Sequence, residues 1–275
     1  MSRGILIFAK NNEKFNYVKQ AAVAALSAKK HLDIPVCVIA LEEELATLDP
    51  IIRKKAFDIE INKSAATTQK RSFLQGQSAG IYTWHNELRS QVYDFTPFDE
   101  TILIDSDYII QNDVLNSCWG SVEPIMMNTK ELNIVTHIET PAGELRTSVL
   151  GPKMYWATCV YFKKTKKTEI FFNLVKHIQE NYLFYSLSYN LPSRLFRNDY
   201  AFTIAAHVMH DTLEDCIPPL PVQMLNCYPA DEILQVTYDS ILMNASLPVR
   251  ISKMNVHIMN KYSLEEHLDD FLKVC

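Results

Sequence analysis

The chain has 275 residues, of which 48% are hydrophobic and 21% charged. That is enough for one large domain or two small ones around a sizeable core. A net charge of −5 excludes coating of nucleic acid through global basicity. It leaves only local basic runs, Lys163, Lys164, Lys166 and Lys167 above all, with Lys10, Arg53, Lys54, Lys55, Lys70 and Arg71, which read mostly as solvated surface.

The opening MSRGILIFAK has too short an apolar run for a signal peptide, and Gly4–Ala9 reads as a first strand buried on both faces. Asn12 is placed to cap a helix in which Phe15, Val18, Ala22 and Leu26 recur at helical spacing. Val36–Ala40 (VCVIA) is a second buried strand and Phe57–Ile61 a third. Residues 79–93 read as a helix that carries Tyr82, Trp84, His85 and Arg89 toward the strand at 101–104. The order β-α-β-β-α-β predicts an α/β fold with a mostly parallel sheet. The second half is more mixed. Strands are expected at Asn133–His137, Trp156–Phe162, Val249–Ile251 and Val256–Ile258. Thr168 and Asn198 are expected caps of two helices, the first with Phe171, Leu174, Val175, Ile178 and Tyr182 on one face. Ser263 with Glu266 predicts a capping box for the last helix. A soft boundary falls near residue 120, with the two halves sharing a core. Six cysteines show no paired spacing, and Cys37 and Cys159 sit in apolar runs. Their pattern points to a reduced, cytoplasmic compartment, and no stretch reaches the length of a membrane span.

The stretch ETILIDSD (100–107) carries the chemistry. A buried strand ends in Asp105 and Asp107, and in an extended segment residues i and i+2 face the same side. Ligands of open α/β sheets bind beyond such carboxyl ends. Two carboxylates this close raise each other's pKa unless a cation neutralises them, and Mg²⁺ or Mn²⁺ with oxygen ligands is the natural partner. The plainer alternative is a pair of surface aspartates closing a turn. Two chemistries use the pattern. One is phosphoryl transfer of the haloacid-dehalogenase type with Asp105 as nucleophile. Against it, Tyr108 stands where a Thr or Val normally follows, and at least two strands precede the motif. The other is glycosyl transfer, in which the metal clamps a sugar diphosphate.

The run PFDETILIDSD (97–107) resembles the Pro-aromatic-Asp-Glu-Thr strand ending in D-x-D of the GT-A glycosyltransferases, closest to the glycogenin and galactinol synthase type. The resemblance implies a single GT-A domain over 1–275. A Rossmann-like nucleotide-sugar-binding half with a mostly parallel central sheet would span about 1–120, and a mixed α/β acceptor half about 121–275. It implies a UDP-sugar donor and Mn²⁺ or Mg²⁺ held by Asp105, Asp107 and, from NVHI (255–258), His257. Lys261 lies downstream, although no Gly, Pro or Trp follows at the family's spacing. It further implies donor contacts from Phe8, Ala9, Asn11, Arg71, Arg89, Ser106 and Lys261. Asp199 in RNDY (197–200) would act near the donor sugar or acceptor hydroxyl, with Trp156, Thr158, Arg197 and Asn198 around the sugar. Likeness to glycogenin implies retention at the anomeric carbon.

The whole chain, including WATCVYF and RNDYAF, also resembles glycosyltransferase-like proteins of tailed bacteriophages. Some phage glycosyltransferases attach glucose or arabinose to 5-hydroxymethylcytosine in DNA. That resemblance implies a modified-DNA acceptor and a host-cytoplasm location, while the lack of a membrane-length apolar stretch predicts no membrane partner. The rivals are a glycan or protein acceptor, a D-x-D phosphohydrolase, and a nucleotide-sugar-binding protein without catalysis.

Overall fold

A computed structural model of the chain describes residues 1–63, 69–75, 78–84, 87–141, 151–191, 196–212 and 216–275. The first half runs β1 (Arg3–Phe8), α1 (Tyr17–Leu32), β2 (Val36–Ala40), α2 (Glu42–Leu45), α3 (Pro50–Ala56) and β3 (Ile59–Asn62). A hairpin follows, β4 (Gln69–Gln75) and β5 (Ser78–Trp84), then a 3-10 turn (Glu87–Gln91) and α4 (Val92–Phe95). Next come β6 (Glu100–Ile104), β7 (Tyr108–Ile109), β8 (Ile125–Met127), β9 (Lys130–Asn133), β10 (Glu139–Pro141) and β11 (Cys159–Lys163). The remainder is α5 (Lys166–Glu180), α6 (Tyr182–Ser188), α7 (Asn198–His210), β12 (Leu225–Cys227), β13 (Glu232–Val236), β14 (Ser240–Ala245), β15 (Leu247–Ser252), β16 (Val256–Ile258), α8 (Lys261–Glu266) and α9 (Leu268–Val274).

The fold class is α/β, as the sequence predicts. A six-stranded sheet has the order β3-β2-β1-β6-β11-β8, parallel from β3 to β6 and antiparallel at β11. Apolar residues fill both faces of its central strands. Leu6, Cys37, Leu103, Val160 and Phe162 join Phe171, Phe172 and Phe202 of α5 and α7 in one core. Ile5, Ile7, Val38, Ile102, Ile104 and Tyr161 join the alanines of α1 in the other. Strand order reverses at β1, with β2 on one side and β6 on the other. The carboxyl ends of β1 and β6 therefore form the crevice where such sheets bind ligands. A second sheet, β10-β9-β12-β16-β7, abuts that crevice, because β7 follows β6 after a short turn.

Four of the five residues of the PFDET run, Phe98 to Thr101, have a structural job. The Phe98 ring lies where a side chain on Gly4 would be, 2.3 Å from an added Cβ. Asp99 accepts from the Ser2 N–H at 2.8 Å, and Thr101 bonds Thr96 at 2.6 Å. Burial works against an ionised Glu100. The Gly120 N–H, the Tyr161 hydroxyl and Arg3 nevertheless hold it below the ordinary carboxylate range.

Several local expectations are corrected. Residues 79–93 form strand β5, a 3-10 turn and the short α4, not one helix; His85 lies outside the described residues. Helix α1 is capped by Asn16, while Asn12 accepts from the N–H groups of Lys14 and Phe15 in the loop before it. Thr165 caps α5, with Thr168 as the reciprocal partner of its capping box. Arg197 stands at the cap of α7, so Asn198 is its first helical residue. Asn260 caps α8, and the Ser263 hydroxyl instead accepts from the Ile233 N–H. Asn133–His137 is a turn whose N–H groups bond the Asn133 side chain, and the ordered strand is β9. In WATCVYF only Cys159 onward is strand. At α1, α5 and α8 the capping side chain accepts from the N–H three residues on, whereas α7 has no side-chain cap bond.

Candidate active site

Asp105 and Asp107 do converge, but not because the segment is extended. β6 ends at Ile104, and the Tyr108 N–H donates to the Asp105 carbonyl at 3.1 Å, closing a turn over Asp-Ser-Asp. The aspartates do close a turn, and it is buried at Ser106 and Asp107 and part-exposed at Asp105. Asp107 is 2% exposed and Ser106 7%. The turn is pinned from two sides. The Asp105 N–H donates to the Thr158 carbonyl at 2.9 Å, and the Ile258 N–H to the Asp107 carbonyl at 3.0 Å.

His257 comes in from β16, which pairs antiparallel with β7. Its Nε2 lies 3.2 Å from Asp107 Oδ2. One ligand atom from each of Asp105, Asp107 and His257 falls within 4.8 Å of the others. Lys261, the first residue of α8, ion-pairs with the same Asp107 oxygen. Arg89 is 2% exposed; it donates to Asp105 Oδ1 at 2.5 Å and to the carbonyl of Ala157. The part-exposed Asp105 and the buried Asp107 thus each meet a protein cation, which offsets their mutual repulsion.

The segment 156–158 is the hub of the site. The Trp156 ring meets the His257 ring edge-on at 6.3 Å. Ala157 offers its carbonyl to Arg89 and its N–H to Asp199 Oδ1 at 3.0 Å. Thr158 takes the Asp105 N–H on its carbonyl. Asp199 Oδ2 is paired with Arg197 at 3.0 Å, and the Asp199 carbonyl accepts from the Thr203 hydroxyl. Burial alone would lower the Arg197 pKa, but Asp199 and neighbouring groups raise it. Asn198 is 5% exposed, yet among the described residues neither its amide oxygen nor its amide nitrogen has a hydrogen-bond partner. The Trp156 indole N–H is likewise buried without one. Such groups cost free energy unless a ligand or water satisfies them.

The other expected donor residues differ in how near they lie to this cluster. Phe8 and Ala9 lie at the carboxyl end of β1, beside Asp105 through the Ile7–Ile104 register. Asn11 spends its side-chain oxygen on the Val18 N–H and its own N–H on Glu44. Arg71 falls in β4, paired to Tyr82 in β5, and its side chain lies outside the described residues. Of the basic run, Lys163 and Lys164 donate to the carbonyls of Ser121 and Thr96, and Lys166 pairs with Glu169.

Sequence reasoning missed Asn226 and Glu131, which stand behind His257. Asn226 Oδ1 lies 3.1 Å from His257 Nδ1, and Asn226 Nδ2 donates to Glu131. A period-2 signal was there to read. Leu225, Cys227, Val256, Ile258 and Leu132 enter one apolar cluster, leaving Asn226, His257 and Glu131 for the opposite face.

The donor set fits a hard or borderline divalent ion. Two carboxylates and one imidazole nitrogen converge, and the second imidazole nitrogen is held by a hydrogen bond, as in metal-ligating histidines.

No helix among the described residues is long and apolar enough to cross a membrane. All six cysteines are free thiols, four of them buried. No family model matches the sequence, and no curated protein matches it. Among solved structures, the chain is similar to the apo form of the glycosyltransferase GlyE from Streptococcus pneumoniae TIGR4, at 13% identity over 74% of this chain and 42% of GlyE, with a TM-score of 0.39. It is similar to the galactosyltransferase LgtC in complex with donor and acceptor sugar analogs, at 12% identity over 73% of this chain and 69% of LgtC, TM-score 0.44. It is also similar to apo mouse xyloside xylosyltransferase 1, at 11% identity over 79% of this chain and 85% of that protein, TM-score 0.45. The chain spans less than half the length of GlyE.

Proposed function

We propose that the chain is a metal-dependent glycosyltransferase of GT-A type that moves a sugar from a UDP-sugar to an acceptor hydroxyl. The observation that carries this reading is the convergence of Asp105, Asp107 and His257 at the carboxyl edge of β6, at the point where strand order reverses. Asp105, Asp107 and His257 Nε2 would hold Mn²⁺ or Mg²⁺, which when bound offsets the negative charge gathering on the departing diphosphate. Arg89 fixes the Asp105 carboxylate from behind. Lys261 brings an ammonium to the same edge, within reach of a diphosphate once released from Asp107. The carboxyl ends of β1 and β6, with Phe8, Ala9, Asn11 and Ser106, receive the nucleotide, with Arg71 assigned there on the sequence resemblance.

The sugar lies against Trp156, Thr158, Arg197 and Asn198. The unpartnered Asn198 amide and Trp156 N–H supply hydrogen bonds that hydroxyl groups complete. Asp199, held by the Ala157 N–H and Arg197, keeps its carboxylate oriented toward an acceptor hydroxyl or an oxocarbenium-like centre. In this reading the chain is one domain, with a donor half to about residue 120 and an acceptor half beyond. The acceptor we favour is 5-hydroxymethylcytosine in phage DNA, with glucose or arabinose as the sugar, acting in the host cytoplasm. It rests on sequence resemblance.

Calorimetry of UDP binding with and without Mn²⁺ tests the reading. Binding that requires the metal supports it, and UDP-sugars are then screened against hydroxymethylated DNA and against simple glycans. No UDP binding in either condition would overturn it, and trapping of Asp105 by beryllofluoride would establish a phosphohydrolase instead.

A further inference from the structure

The small sheet carries a line of polar side chains across three adjacent strands. Glu131 is on β9, Asn226 on β12 and His257 on β16, with Asn226 and His257 direct partners in the parallel register. All three are buried, at 6%, 0% and 7% exposure. A carboxylate offers only acceptors, and Glu131 already takes the Tyr228 hydroxyl at 2.6 Å. Burial and this bond to Glu131 push the Tyr228 pKa up, which keeps it a donor. Asn226 must therefore turn its NH₂ to Glu131 and its Oδ1 to the imidazole. An acceptor at Nδ1 requires the ring to carry its proton there. Nε2, 3.2 Å from Asp107 Oδ2, is then the nitrogen left to share a cation with that carboxylate.

We infer that Asn226 and Glu131 are positioning residues for His257: the carboxylate sets the amide, and the amide sets the Nδ1–H tautomer that presents Nε2 as a ligand. The inference deepens the metal-site reading and rests on it for its purpose, while the tautomer itself depends on the protein alone. An Asn in this place holds the ring without adding a charge beside the site, unlike the carboxylate that often backs a ligating His.

The test uses the full chain and two readouts. Imidazole ¹⁵N NMR of His257, followed upward in pH until the ring signals stop moving, reports the tautomer, and electron paramagnetic resonance of free Mn²⁺ reports affinity. Wild type should show Nδ1–H. Asn226→Leu should show a mixed or Nε2–H ring, with Mn²⁺ bound about 10- to 100-fold more weakly. Glu131→Leu frees the amide to flip and should act in the same direction, by about tenfold. Glu131→Gln should stay near wild type, because its oxygen can accept from Asn226 while its NH₂ donates to Tyr228. An Nε2–H ring in the wild type would overturn the inference. So would wild-type tautomer and affinity in both leucine variants. If Asn226→Leu does not fold, the wild-type tautomer and the Glu131 pair decide. Loss of all Mn²⁺ binding by the wild type would sink the metal reading, while the tautomer would still decide the relay.

Discussion

In the six-stranded sheet, β1, β2 and β6 bury aliphatic side chains on both faces, and stability there comes from volume and area removed from water. In the five-stranded sheet, strands of a few residues bury one apolar face and one polar face. On the polar face Glu131, Asn226 and His257 answer one another. The first sheet is a platform, and its residues are interchangeable with others of similar shape. The second is a device, because each buried polar group constrains the next and a single replacement strands a partner. The Asp105–Asp107 turn joins the two, with its strand in one sheet and its continuation in the other.

The sharpest way to break this contrast is at the junction. On the proposed metal-site reading, Asp107→Ala should lower turnover by about a thousandfold while far-UV circular dichroism stays that of the native fold, because a metal ligand would be lost. Wild-type turnover would remove Asp107 from the site. The opposite pattern is expected of Leu103→Ala in the platform. It should cost about 2–5 kcal/mol in urea unfolding, through lost transfer energy and a cavity, with Mn²⁺ affinity of the folded protein unchanged.

Two carboxylates sharpen the comparison through pH. Glu100, under the platform, has its pKa held down by its hydrogen bonds despite burial. Its contribution is present above the unfolded value of about 4.3 and fades as pH falls through the lower folded value. Glu100→Gln should therefore cost about 1–2 kcal/mol at neutral pH and little in acid, measured as urea midpoints against pH. A cost independent of pH would assign the effect to packing. Smaller still, Lys261→Met should tighten Mn²⁺ binding without nucleotide by about threefold to tenfold, because an ammonium no longer competes for Asp107. UDP affinity in the presence of Mn²⁺ should fall. Unchanged affinity for both would mean that Lys261 is only packed there.

The smallest effect is at Asp231, beside the small sheet, whose pKa burial raises despite the Tyr228 N–H. A raised acid is destabilising once ionised, so the penalty grows as pH rises from about 3.9 through the folded value and is complete at neutrality. Asp231→Asn should gain a few tenths of a kcal/mol, roughly, near pH 7 and nothing in strong acid. A loss at neutral pH would show that the charge is used.

The platform was legible because its signal is local. GILIF, VCVIA and TILI are runs whose composition leaves them little choice but a doubly covered strand, and the alternation within them assigns each residue to one core or the other. Asp105 and Asp107 were legible for the same reason, as charges ending such a run. Caps were less so: Asn12, Thr168, Asn198 and Ser263 all lie within four residues of the true caps, and composition cannot say which oxygen meets a free N–H. The 79–93 segment failed because its apolar spacing suits a helix or a strand, and pairing with β4 decided it.

The sequence by itself determined the α/β class, the strand that carries the two aspartates and the candidacy of His257, since each follows from a short pattern. Only the tertiary structure decided that Asp-Ser-Asp is a turn buried at Ser106 and Asp107, and that Arg89 and Lys261 face its two carboxylates. It also decided that Glu131 and Asn226 stand behind His257. These are contacts between residues 16 to 154 positions apart in the chain. Their energy depends on distance and desolvation in the folded state, quantities that no local stretch of sequence contains.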